Sequence, residues 1–138
     1  RIKDNIVYFC DFSFSEYFKN NNYKSAKFGG NKLIYQSPEI YHKQKCYNAN
    51  KAEIWSLGVL LYIMHTGLPL YKIPSTNDPY FNNAVNGYIK KQLTTMNMDH
   101  YIPSNGYHLL NCIIKPEKQR YEMNQILNHP YLKNVKSY

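Results

Sequence analysis

The run Glu53-Ile54-Trp55-Ser56-Leu57-Gly58-Val59-Leu60-Leu61-Tyr62-Ile63-Met64-His65-Thr66-Gly67-Leu68-Pro69 constrains this chain more than any other stretch. On a helix its apolar residues occupy almost every side, and a helix apolar all round belongs at the centre of a packed body. Length excludes a membrane crossing, because Ile54 to Met64 is about 11 residues and a span needs about 20. Asn50 stands three residues before Glu53, a capping-box-like start. Gly67 and Pro69 mark the end. The sequence therefore predicts one enclosed helix around which the remainder packs.

The remainder is enough for one domain with one core, at 138 residues. A hydrophobic content of 43% excludes wholesale disorder. No apolar segment of the secretory kind and no membrane span is read in the sequence. Cys10, Cys46 and Cys112 are scattered and lack a C-x-x-C spacing. That argues against a disulfide framework or a zinc site, and the expectation is an intracellular protein of cytoplasm or nucleus. The five histidines (His42, His65, His100, His108 and His129) show no metal-ligand spacing. The net charge of +8 is carried by lysine, with Arg1 and Arg120 the two arginines. Lys, Asn, Tyr and Ile abound, as AT-rich codons dictate, so the charge is weak support for a nucleic-acid partner.

Along the chain, Asn5 to Phe12 reads as a short buried strand. Ser13 to Asn31 is a long polar loop containing Asn20-Asn21-Asn22 and Gly29-Gly30, and loops of this length are commonly functional. Pro38-Glu39-Ile40-Tyr41 opens a short helix, with proline suited to the first turn. Tyr80 to Leu93 has roughly helical spacing, Tyr107 to Ile114 is a strongly apolar helix, and Tyr121 to Leu127 is a last helix closed by His129-Pro130. The fold class is mainly α, a helical bundle around a central helix with a short N-terminal β element.

Four of these landmarks stand in one order that resembles the C-terminal lobe of the eukaryotic protein kinases. Asp11-Phe12-Ser13 resembles the Asp-Phe-Gly motif, and Ser37-Pro38-Glu39 resembles the Ala-Pro-Glu motif that ends the activation segment. Glu53-Ile54-Trp55-Ser56-Leu57-Gly58 resembles the Asp-x-Trp-Ser-x-Gly opening of the central helix. Arg120, nine residues before His129 in Leu127-Asn128-His129-Pro130, resembles the arginine and the Leu-x-His-Pro that close the lobe. The resemblance covers nearly the whole chain.

It implies a partial kinase domain: residues 1–12 as strand and metal motif, 13–39 as activation segment and 40–138 as helical subdomain. Asp11 and Phe12 would be the cofactor-binding residues, Asp11 holding Mg²⁺ against ATP and Phe12 packed inward beside it. Ser13, Lys32, Tyr35, Ser37, Pro38 and Glu39 would belong to the activation segment and its substrate-facing end. Hydroxyls at Ser13, Ser15, Tyr17, Tyr23 and Ser25 would be open to phosphorylation. Glu39 and Arg120 would form a buried ion pair, while Glu53, Trp55 and Gly58 would have structural roles on the central helix. Cys10 reads as a small buried hydrophobe.

Departures from the family also stand in the sequence. Ser13 replaces glycine, Glu53 replaces aspartate, Lys32 stands where a threonine is usual, and Pro116 lies one residue further from Arg120 than usual. Nothing matches the glycine-rich loop, the strand lysine or the catalytic-loop aspartate and asparagine. The expectation is a fragment inactive by itself. It would belong to a serine/threonine kinase that uses ATP and Mg²⁺, acts on protein substrates and packs against an N-terminal lobe. A pseudokinase scaffold is the alternative, and a basic nucleic-acid-binding helical domain is the third.

Overall fold

The computed structural model describes residues 2–3, 6–13, 15 and 32–133. Tyr17, Tyr23, Ser25, the asparagine run and the glycine pair of the polar loop lie outside the described residues. Strand β1 (Ile2–Lys3) pairs antiparallel with β2 (Ile6–Val7), with Ile2 opposite Val7 and Lys3 opposite Ile6. The buried strand expected over residues 5–12 is corrected to the two-residue strand β2, both of whose residues are exposed. Phe9 is 86% and Phe12 67% accessible, so Phe12 does not pack inward, and Cys10 is exposed rather than buried. A lone two-stranded ribbon has no layer to bury a face against, and Ile6 and Val7 stand 55% and 69% accessible.

After a 3₁₀ turn at Leu33–Tyr35, helix α1 (Pro38–Tyr41) begins with proline in its first turn. Helix α2 (Ala49–Thr66) starts earlier than expected. Its N-cap is Asn48, whose side chain accepts from the Lys51 N–H, so Asn50 lies inside the first turn and is not the cap. The helix ends at Gly67, whose φ of 69° is the left-handed conformation that glycine adopts without a Cβ penalty. Ala52, Trp55, Val59 and Tyr62 form its buried face, extended by Ile54 and Gly58.

The helix is not enclosed on every side. Glu53, Leu57, Leu60 and Met64 are exposed, Met64 at 75%. Their spacing of four, three and four places them in one line along the helix. No described residue covers that line, so the all-round apolar pattern resolves into one buried face and one open apolar stripe.

The expected helix over Tyr80–Leu93 is two helices, α3 (Pro79–Val85) and α4 (Ile89–Thr94). Gly87 separates them at φ 84°, a turn that few other residues could make. Helix α5 (Ser104–Ile113) packs across α2 so closely that a Cβ on Gly58 would collide with Ile113 Cγ2. Helix α6 (Met123–Leu127) carries a capping box between Glu122 and Gln125. His129-Pro130 does not close the chain's helices, since Pro130 opens a further short helix, α7 (Pro130–Lys133). The core gathers Trp55, Val59, Tyr62, Leu93, Leu110 and Ile114 around the buried face of α2. No helix among the described residues is long and apolar enough to cross a membrane.

Candidate active-site segment and its anchor

The buried charge at the centre of the molecule is Arg120, on the extended residue that follows a 3₁₀ turn at Glu117–Gln119. Its guanidinium meets the Glu39 carboxylate as a fork. Nη1 donates to Oε1 at 2.6 Å and Nη2 to Oε2 at 3.2 Å, with the two side chains 0% and 3% exposed. Nη1 also donates to the Lys51 carbonyl at 2.5 Å and Nε to the Lys115 carbonyl at 3.1 Å. The guanidinium carbon lies 4.8 Å from the centre of the Trp55 ring. Burial of an ion pair is tolerable when the remaining donors are satisfied, and arginine's planar fork supplies that geometry where lysine could not.

A second line of bonds runs beside it. Trp55 Nε1 donates to the Tyr71 hydroxyl at 2.7 Å, and Tyr71 in turn donates to the Gln36 carbonyl at 3.3 Å. Burial pushes the Tyr71 phenol far above its ordinary value, so it remains a donor. Ser56 Oγ donates to the Tyr35 carbonyl at 2.8 Å. Residues 35–39 are therefore tied to α2 at three places: Tyr35 through Ser56, Gln36 through Tyr71 and Trp55, and Glu39 through Arg120. Ser37 is fully buried between them and its hydroxyl has no hydrogen-bond partner among the described residues. Pro38 starts α1 and thereby turns Glu39 toward Arg120.

At the other end of the polar loop, Asp11 sits exposed in the left-handed region, at φ 65°. Ser13 grips its carboxylate, with Oγ at 2.5 Å and the backbone N–H at 3.3 Å from Oδ1. The Ser13 hydroxyl first, then its N–H, with a smaller contribution from Lys32, hold the Asp11 carboxyl below its ordinary value. An ionised, solvent-facing carboxylate of this kind is a fitting oxygen ligand for Mg²⁺, which is commonly held by one or two carboxylates and completed by phosphate oxygens and water. No cluster of three or more His, Cys, Asp or Glu side chains suited to a metal gathers among the described residues. Asp11 therefore offers one ligand and not a cage.

The structure thus brings together Tyr35, Ser37, Pro38, Glu39, Trp55 and Arg120, while Gly58 sits at the contact with α5, and Asp11 is held by Ser13 beside an exposed Phe12. Lys32 is exposed, and Glu53 lies on the open stripe of α2. Sequence reading missed Tyr71 and Ser56 as anchors of the segment. Their signals were slight, a tyrosine two residues beyond Pro69 and a serine on the buried helix. It also missed Lys51, whose ammonium donates to the Arg120 carbonyl at 3.0 Å and pairs with Glu122 at 3.0 Å.

The family model for the protein kinase domain matches residues 2–132. Similar proteins include the serine/threonine-protein kinase KIN4 of Saccharomyces cerevisiae, 30% identical over 94% of this chain and 16% of that protein. The serine/threonine-protein kinase SRK2G of Arabidopsis thaliana is 30% identical over 91% of this chain and 35% of that protein. The human SNF-related serine/threonine-protein kinase is 29% identical over 96% of this chain and 16% of that protein. The chain thus spans between 16% and 35% of the length of these relatives. The motif order, the fork of Arg120 on Glu39 and a match that runs nearly from end to end agree: this chain belongs to the protein kinase family.

Proposed function

We propose that the full-length protein is an intracellular serine/threonine kinase that transfers the γ-phosphoryl group of ATP to protein hydroxyls, and that this chain supplies the metal-holding aspartate and the substrate-facing segment. The observation that carries the reading is Asp11, an exposed carboxylate kept ionised and oriented by Ser13. Mg²⁺ held there would offset charge on the phosphates during transfer. Asp11 positions that charge, and residues 32–39 present the substrate hydroxyl on a platform locked to α2. The base that takes the hydroxyl proton is assigned to no residue of this chain.

The open stripe of Leu57, Leu60 and Met64 on α2 supports a partial domain, with the remainder of the kinase domain seated on it. A stripe of apolar side chains on the central helix calls for such cover. Residues 1–12, 13–39 and 40–138 serve as metal motif, activation segment and helical subdomain. The test is transfer from ATP to serine/threonine peptides by the full-length protein, with and without Mg²⁺. Metal-dependent transfer supports the proposal, and none under any metal sinks it.

One observation favours a second reading. The Ser13 hydroxyl already occupies Asp11 Oδ1, so the protein would be a pseudokinase whose aspartate is tied up internally. Nucleotide binding without transfer, restored to transfer by Ser13→Gly, would select that reading.

A further inference from the structure

Beneath α7, hydrogen bonds fix the protonation of a histidine pair that the kinase reading does not use. The backbone N–H of Tyr131 points at His129 Nδ1 at 3.1 Å. A backbone N–H can only donate, so Nδ1 is bare and neutral His129 carries its proton on Nε2. That Nε2 stands 2.7 Å from His108 Nδ1, which must accept, so His108 carries its proton on Nε2. The two rings are stacked, 18° apart in plane with centroids at 5.0 Å. At its other end, the Tyr131 hydroxyl lies 2.8 Å from His65 Nε2, and His65 Nδ1 is 3.0 Å from the Tyr101 carbonyl. The carbonyl can only accept, so His65 Nδ1 donates and its Nε2 receives the Tyr131 hydroxyl.

We propose that His108 and His129 form an acid-released latch, in which the neutral pair holds α7 against α5 and protonation of either ring on the nitrogen facing its partner lets α7 go. A proton on His108 Nδ1 would confront the Nε2–H of His129. A proton on His129 Nδ1 would confront the Tyr131 N–H. Two opposed donors replace a donor and an acceptor in each case, and a part-buried hydrogen bond becomes a repulsion. The His65 end tolerates acid, since a protonated Nε2 donates to the hydroxyl oxygen instead.

The surroundings do not oppose this. Helix α5 contributes His108 and Cys112, the thiol 4.0 Å from His108 Nδ1. The segment before α6 contributes Tyr121, which pairs with Cys112, α7 contributes Tyr131, and α2 contributes His65 through it. No carboxylate acts on His129. Burial first, then the charge of His108, holds its pKa below the ordinary 6.5. The fold therefore favours neutral His129, and that stabilisation, complete above about pH 6.5, is lost as pH falls through the lower folded value. Release would uncover Gly106, where Tyr131 now lies 3.2 Å from the position of a Cβ.

The test is amide hydrogen exchange at residues 131–133 of the full-length protein, corrected for intrinsic rate, between about pH 7.5 and pH 5.5. Wild type is expected to lose protection there as the pH falls, while α2 amides hold theirs. In His108→Gln the amide oxygen still accepts from His129 but brings no positive charge beside it, so the His108 contribution to the lowered His129 pKa is lost and protection falls less between the two pH values. Unchanged wild-type protection across the range would overturn the latch, as would a loss of protection in His108→Gln as large as in wild type.

Discussion

Arg120 is positioned by four hydrogen bonds and an aromatic face, and almost all of them are out of water. Removing it strands the Glu39 carboxylate at 3% exposure and frees two carbonyls. Arg120→Ala is therefore expected to lower stability by about 3–5 kcal/mol, as for other broken buried pairs. Urea denaturation of the full-length protein measures this. Arg120→Lys should recover little of it, because one ammonium cannot serve both carboxylate oxygens, two carbonyls and the Trp55 ring. A midpoint equal to wild type in either variant would mean that the pair is not a structural anchor. This residue was legible in the sequence because it is one of two arginines and stands at a family interval from His129. Tyr71 was not legible. Its role depends on the hydroxyl reaching both Trp55 and Gln36, and that contact is made by chain folding across 16 and 35 residues.

Helix α2 sets the geometry of everything that touches it. Its contact with α5 depends on the missing side chain of Gly58, where a Cβ would strike Ile113 Cγ2 and lie 3.0 Å from Ile114 Cδ1. Gly58→Ala gains helix propensity but is overpacked, and a net loss of about 1–3 kcal/mol is expected. Thermal denaturation would show it as a lowered midpoint.

The start of α3 is organised by Asp78, which receives N–H bonds from Lys72, Ile73, Tyr80 and Phe81. Burial is the largest single influence and pushes its carboxyl up, but the four N–H donors together outweigh it and leave the pKa below 3.8. The stability that Asp78 contributes is present above that value and is lost as pH falls through the folded one. Asp78→Asn should accordingly be less stable than wild type near neutrality by about 1–2 kcal/mol. The gap between the two should close as the pH falls below about 4, read from urea midpoints across pH.

Periodicity located α2 and α5 but misjudged their surroundings. The apolar pattern of α2 cannot distinguish a face covered by this chain from one left open, because hydrophobicity records that burial is wanted and not by what. The same limit produced the buried strand at residues 5–12, whose apolar residues stand exposed among the described residues. The break between α3 and α4 was written in Gly87, yet helical spacing continues across it and hid the turn.

At the scale of the whole molecule, two regions divide the labour. The helical body holds residues 35–39 in place through buried contacts, and Asp11, beyond the ribbon's second strand, stands exposed with Ser13 on its carboxylate. The anchor was foreseeable from motif order, while the exposure of Asp11 and Phe12 was not, since no local apolar pattern encodes what covers a residue. The open stripe on α2 and the exposed run Ile6 to Phe9 are both apolar, consistent with cover from further chain in the proposed kinase domain. Asp11 bears no packing load, so its removal separates chemistry from folding.

The most direct measurement is phosphoryl transfer from ATP by the full-length protein, wild type against Asp11→Ala, with the melting temperature of each. The account predicts a loss of about a hundredfold or more in transfer, on the scale of losing a metal-positioning group, with no change in melting temperature. Transfer by Asp11→Ala at the wild-type rate would contradict it.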